Sequence, residues 1–158
     1  MHSNLRIRKA RITDVEGIHK LVNTYARQGL MLPRSLSLLY ESLRDFVVAD
    51  EEGEIIGTGA LHILWKDLAE IQAVAVRENH MRKGIGSELV GFLLKEAQEL
   101  DIPRVFALTY RPSFFQRLGF RVIPKEALPQ KVWKDCINCP RFPNCDEVAL
   151  IRDIEPPP

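Results

Sequence analysis

A single α/β domain is the fold class this sequence predicts, and three observations predict it. Short strand-like runs alternate with segments of helical period, turn-forming residues stand at the joints, and no repeat or linker divides the chain. The length of 158 residues, with 46% hydrophobic content, suits one sizeable core. Net charge is +1, from 22 basic and 21 acidic residues, which leaves no electrostatic footprint for DNA or RNA. No run approaches the roughly 18 consecutive apolar residues of a membrane span, so no membrane partner is expected. The opening "MHSNLRIRKA" has no apolar signal core, which makes the cytoplasm the expected compartment.

The elements follow in order. "LRIRKA" alternates Leu5, Ile7 and Lys9 with basic residues and predicts a first strand. "TDVE" has the spacing of a capping box, with Thr13 as N-cap and Glu16 three residues on. Val15, Ile18, Leu21, Val22 and Tyr25 then share one helical face, and Gly29 ends the run. Ser35 is placed to cap a second helix, "LSLLYESLRDF". "FVVAD" and "IIGTGALHIL" predict a hairpin around Gly53, and "LAEIQAVAV" predicts the next strand. From Ile85, the residues Leu89, Leu93, Ala97 and Leu100 recur at helical spacing. "VFALTY" reads as a strand, Pro112 suits the first turn of a short helix, and "GFRVI" reads as a strand. "VALIRDI" is expected to close the sheet. The predicted order is β-α-α-β-β-β-α-β-α-β-β.

Chemistry concentrates at the joint between "LAEIQAVAV" and the long helix. There "MRKGIGS" sets two basic residues and two glycines ahead of a helix start. Exposed N–H groups and the helix dipole favour an anion at such an end, and Gly84 and Gly86 let a ligand approach the backbone. The spacing matches neither the dinucleotide G-x-G-x-x-G nor the phosphate-loop pattern. Alone, the stretch reads equally well as an ordinary turn.

Two motifs together change that weighting. "VRENHMRKGIG" after a strand, followed by "FFQRLGF", resembles the GNAT superfamily of acyl-CoA N-acyltransferases over nearly the whole chain. The resemblance implies a mixed, mostly antiparallel sheet flanked by helices and a domain over 1–155. It implies acetyl-CoA as co-substrate, with its pyrophosphate on Arg82, Lys83, Gly84, Ile85, Gly86 and Ser87, next to Met81. The backbone of Ala73, Val74, Ala75 and Val76 would pair with the pantetheine arm, and Phe115 would lie along the cofactor. Met81 stands where the superfamily usually has Gln or Arg, and Phe115 where it often has the Tyr that protonates the leaving thiolate. A thiolate with a conjugate pKa of about 8.5 is a tolerable leaving group, and Tyr110 is the substitute acid. Folds of this kind often form homodimers through strands near the C-terminus.

"QGLMLPRS", "AEIQAVAV" and "LTYRPSFFQRLGF" are similar to segments of the acetyltransferase domain of bacterial N-acetylglutamate synthases. That resemblance implies an amino-acid acceptor, L-glutamate, at the entry to arginine biosynthesis. Glu70 is then the general base that takes a proton from the acceptor ammonium. A backbone N–H near Val74 would stabilise the oxyanion. Arg34, Ser35 and Arg111 would bind the acceptor carboxylates, because guanidinium forks match carboxylate geometry. The synthases carry a further R-x-S near the C-terminus. This chain has "DCINCPRFPNCDEVAL" there, with Lys131, Lys134 and Arg141 as stand-ins. Its Cys136, Cys139 and Cys145, in the cysteine-containing segment 133–147, begin like a zinc knuckle without an obvious fourth ligand. The competing reading of that segment is a loop of packed thiols. His80 is expected to be solvated or near phosphate, and His62 to be a satisfied strand-edge residue. The rival functions are an N-acetyltransferase for another amine or a peptide N-terminus, and a non-catalytic acyl-CoA-binding or metal-sensing module.

Overall fold

The computed structural model describes residues 4–128 and 146–156. Seven strands and four helices among these residues follow the predicted order, with short 3-10 turns between them. The strands form one seven-stranded, mostly antiparallel sheet in the order β1-β2-β3-β4-β5-β7-β6. No helix among the described residues is long and apolar enough to cross a membrane. The residues group into two compact units, Met1–His62 with Ile71–Glu96 and Ile63–Glu70 with Ala97–Pro158.

In the first unit, β1 (Leu5–Lys9) pairs antiparallel with β2 (Phe46–Glu51), Leu5 opposite Glu51 and Lys9 opposite Val47. β2 turns into β3 (Glu54–Trp65) through Glu52 at φ 52° and Gly53 at φ 89°. Two left-handed turn residues match the twist of the strands they join, which is why glycine stands there. Helix α1 (Val15–Ala26) buries the face that its period predicts: Val15, Ile18, Leu21, Val22 and Tyr25. Val15, Ile18 and Val22 pack with Leu39, Phe46, Val48 and Ala60 into one core.

Helix α3 (Ile85–Glu99) lies close over β3 because Gly57 and Gly59 leave room for it. A Cβ at Gly57 would stand 3.0 Å from a Leu89 methyl, and one at Gly59 would stand 3.3 Å from Leu93. Small strand residues therefore set the seat of α3, and with it the position of its N-terminus.

Two local expectations need correction. Thr13 does not cap α1; it lies exposed in a 3-10 turn over Ile12–Asp14. Asp14 is the residue at work, because its carboxylate accepts from the Arg11 N–H at 2.7 Å and from both Arg8 Nη atoms at 2.8 and 3.0 Å. The second helix is also shorter than its pattern: α2 (Leu36–Glu41) stops where Ser42 donates its hydroxyl to the Leu38 carbonyl at 2.6 Å. The next residues form a separate 3-10 turn, and Phe46 enters β2 instead.

The Asp14 network sets a pH dependence. Burial pushes the Asp14 carboxyl up, but the Arg8 fork and the Arg11 N–H more than offset it, so the pKa lies below its usual 3.8. Arg8, which also reaches Asp50 at 3.0 Å, is held above its usual value first by the Asp14 hydrogen bond. A carboxyl with a depressed folded pKa stabilises the fold above the unfolded value, and that stability is lost as pH falls through the folded one. Asp14→Asn is expected to cost about 2 kcal/mol at pH 7, since it removes one of two carboxylates that pair with the half-buried Arg8 guanidinium and leaves Asp50 to pair with it. Urea unfolding at pH 7 and pH 3 checks this, because the gap to the parent protein should shrink at the lower pH. An equal gap at both would exclude the charge as the cause.

In the second unit, β7 (Val148–Asp153) joins the sheet as expected, at an inner position. It lies between β5 (Arg104–Thr109) and β6 (Arg121–Ile123), antiparallel to both. The reason is apolarity: Ala149, Leu150 and Ile151 are buried, whereas Arg121 and Val122 are exposed and suit an edge. Phe106, Ala149 and Ile151 pack with Leu68 and Leu128. The short helix α4 (Pro112–Gln116) starts at Pro112, and Arg152 from β7 donates to the Leu118 carbonyl at 2.9 Å just after it.

Candidate active site

The turn from β4 (Leu68–Val76) into α3 sets basic side chains and open backbone at a helix start. Arg82 at φ 66° and Gly84 at φ 80° both take the left-handed conformation, folding the chain sharply before Ile85 opens a 15-residue helix. The first N–H groups of a helix have no partner within it and carry the positive end of its dipole. Nothing lies within 4 Å of a Cβ placed on Gly84. Arg82, Lys83 and Ser87 are exposed, and Ile85 is buried as the anchor. These residues fit a pyrophosphate in charge, backbone donors and open space.

Both flanks of the turn are pinned. Met81 packs against Leu21, Tyr25 and Ala75, which accounts for an apolar residue at this position. His80 is not a solvated side chain. Its side chain is 13% exposed, with Nε2 at 3.0 Å from Glu51 and Nδ1 at 2.8 Å from the Asn79 side-chain oxygen. His62, by contrast, is the satisfied strand residue expected, with Nδ1 at 3.0 Å from Asp45.

Strand β4 is irregular where the chemistry is expected. Ala73 has φ 55°, a conformation that costs a non-glycine residue of order 1 kcal/mol and concentrates at functional sites. It breaks the strand alternation, leaving Gln72, Ala73 and Val74 half-buried in succession. Further on, the buried Tyr25 hydroxyl donates to the Val76 carbonyl, so that acceptor is already engaged from α1. Glu70 and Gln72 are two residues apart in β4 and both half-buried.

Arg34 is held from several sides. Its N–H donates to Asn23 Oδ1 at 3.2 Å, and its carbonyl accepts from Asn23 Nδ2 at 3.0 Å. Its Nη2 donates to Gln72 Oε1 at 3.0 Å, and its guanidinium carbon stands 5.8 Å from the Phe46 ring centroid. The neighbouring Ser35 caps α2 as expected, accepting from the Leu38 N–H at 3.1 Å. That bond uses the hydroxyl as acceptor and leaves its hydrogen for another partner.

In the second unit, Arg111 is the residue before α4 and is exposed, its N–H donating to Thr109 Oγ1 at 2.9 Å. Tyr110 beside it is 36% exposed. Phe115 is buried edge-on between Phe114 and Phe120, with ring centroids 5.0 and 5.2 Å away. Cys136, Cys139 and Cys145, with Lys131, Lys134 and Arg141, lie outside the described residues. Sequence reasoning did not mark Asn23, Gln72 and Phe46 as neighbours of Arg34, or Tyr25 as the partner of the Val76 carbonyl. Their partners are distant in sequence, and no local pattern marks an Asn in a helix or a Gln in a strand.

Residues 15–120 match the model of the acetyltransferase (GNAT) family, and the chain belongs to that family. It is an acetyl-CoA-dependent N-acetyltransferase. Its particular relatives narrow the class. An uncharacterized N-acetyltransferase of Chlorobaculum tepidum is 41% identical over 148 residues, 94% of this chain and 96% of that protein. An amino-acid acetyltransferase of Mycobacterium tuberculosis is 41% identical over 132 residues, 82% of this chain and 75% of that protein. Among solved structures, a Mycobacterium tuberculosis protein in complex with CoA and a second ligand superposes with TM-score 0.85 at 34% identity, over 95% of this chain and 99% of that one. The N-acetylglutamate synthase of Neisseria gonorrhoeae, complexed with coenzyme A and N-acetyl-glutamate, superposes with TM-score 0.87 at 27% identity. That match covers 96% of this chain and 35% of the synthase.

Proposed function

We propose that this chain, as one domain over 1–155, moves the acetyl group of acetyl-CoA to the α-amino group of L-glutamate. The observation that carries the reading is Arg34, whose main chain is bonded to Asn23 and whose guanidinium is oriented by Gln72 and Phe46. A guanidinium held in place is a pre-organised fork for a carboxylate, and little rotamer freedom remains to be lost on binding. The names of its relatives support the same acceptor class.

Each residue then has a role. The N–H groups of the turn at 82–87, with Arg82 and Lys83, hold the pyrophosphate. The backbone of 73–76 lies along the pantetheine arm. Glu70 takes a proton from the acceptor ammonium, directly or through one water, and the freed amine attacks the thioester carbon. The N–H of Val74 donates to the oxyanion. As the intermediate collapses, the C–S bond breaks and the thiolate leaves as CoA, with Tyr110 as the proton source. Arg34, Ser35 and Arg111 bind the acceptor carboxylates. The proposed setting is the cytoplasm, at the entry to arginine biosynthesis.

The test is release of CoA thiol from acetyl-CoA across the twenty amino acids, spermidine and a short peptide, with the protein's own cysteines blanked. Turnover that prefers L-glutamate is the expected result. Preference for spermidine or the peptide would retire the glutamate site, and tight acetyl-CoA binding without any turnover would favour the non-catalytic module.

A further inference from the structure

We infer that His80 is a positioning residue for acetyl-CoA, acting through a strut to Glu51. The strut fixes where the turn at 82–87 begins, and this rests on reading that turn as the pyrophosphate site. Between β4 and the turn stands a three-residue piece of 3-10 helix, Glu78–His80. Its own bonds run from the His80 N–H to the Arg77 carbonyl at 2.8 Å and from the Met81 N–H to the Glu78 carbonyl at 3.3 Å. So short a piece, with the poorer hydrogen-bond geometry of a 3-10 helix, does not hold its own place.

The hairpin of β2 and β3 holds it. The Arg77 N–H donates to the Ile56 carbonyl of β3 at 2.7 Å, which ties down the end of β4. At the far end of the 3-10 piece, His80 Nε2 stands 3.0 Å from Glu51 Oε1 of β2, 29 residues away in sequence. Nδ1 stands 2.8 Å from Asn79 Oδ1, so oxygens on two sides set the ring plane. Glu51 has a fixed base, lying in the sheet opposite Leu5 and Glu54. Its neighbour Asp50 accepts from the Gly53 N–H at 2.8 Å and from Arg8 at 3.0 Å. Met81 then packs on Leu21 and Tyr25, and Arg82 takes the left-handed φ of 66° that opens the turn.

A second ion pair joins the same two segments and provides an internal control. Arg77 Nη1 lies 2.9 Å from Glu54, with side chains 41% and 68% exposed. The side chains of His80 and Glu51 are 13% and 37% exposed. Water competes more strongly for the first pair, so the restraint falls on the second.

His80→Ala is expected to raise the Kd for CoA, read by calorimetry, about tenfold. His80→Gln should stay within about threefold of the parent protein, because its amide group can donate to Glu51. Glu51→Ala should match His80→Ala, and the double variant should bind no more weakly than either, since both act through one interaction. Arg77→Ala should change the Kd by no more than about twofold. Kinetics with two acyl donors show where the restraint is felt. S-acetylpantetheine has the thioester and the pantetheine arm of acetyl-CoA without its pyrophosphate. In His80→Ala, kcat/KM should fall about tenfold with acetyl-CoA and stay within about twofold of the parent with S-acetylpantetheine. A general loosening of the fold would not give that split. Thermal melting of each variant runs alongside.

An unchanged CoA Kd in His80→Ala, with Arg82→Ala still raising it, overturns this inference and leaves the pyrophosphate turn standing. Equal losses with both donors, with a lowered melting temperature, overturn it in favour of a packing role. A parent protein that uses both donors equally well, with CoA binding unmoved by Arg82→Ala, overturns the reading of the turn, and this inference with it.

Discussion

Glu70→Gln is expected to lower kcat by about 10²- to 10⁴-fold at neutral pH while leaving the acetyl-CoA KM unchanged. An amino-acid ammonium has no lone pair, and nothing can attack the thioester until a proton has gone. Gln is isosteric with Glu and keeps its place in β4, but it accepts no proton at these pH values. The defect should therefore depend on pH in a defined direction. As pH rises past the pKa of the free amine, more acceptor arrives already deprotonated, and the rate of the variant should climb toward the parent's. Stopped assays from pH 6.5 to 10 measure this. A loss that stays constant across the range would mean that Glu70 acts by something other than proton removal.

Arg34→Ala is expected to raise the acceptor KM about 10- to 100-fold, the worth of a charge-assisted hydrogen-bonded pair, with no change in the acetyl-CoA KM. Arg34→Lys should rescue little of it. Lysine offers a point charge on a flexible stem, so it can neither lie over Phe46 as a planar group nor serve Gln72 and a carboxylate in one plane. The rise should be confined to acceptors that bear a side-chain or α-carboxylate, with amines that carry no carboxylate unaffected. Steady-state kinetics with L-glutamate and spermidine distinguish the cases. An equal loss for both acceptors would point to a structural role for the 28–35 segment.

Where residues act through their neighbours in sequence, they were readable without coordinates. The buried face of α1 follows from a 3.6-residue period, Gly53 from a turn that needs φ above zero, and Ser35 from the N–H groups that a helix start leaves open. The basic glycine turn was legible for the same reason, since strand, left-handed residues and helix start are consecutive. Thr13 failed as a cap because the Arg11 N–H and the Arg8 fork from β1 together hold Asp14, so Thr13 lies inside a 3-10 turn and α1 begins only at Val15. The inner position of β7 depends on which of two distant strands has the more apolar face, a comparison no local window makes.

The sequence by itself therefore determined the order of elements, the family and the candidate residues of the site. These follow from periodicity, turn stereochemistry and motif spacing, all carried by adjacent residues. Only the tertiary structure decided that Ala73 turns left-handed inside a strand, that Tyr25 binds the Val76 carbonyl, and that Asn23, Gln72 and Phe46 converge on Arg34. Those contacts join residues 11 to 51 positions apart, and they exist because the seating of α1 and α2 on the core brings them within bonding distance.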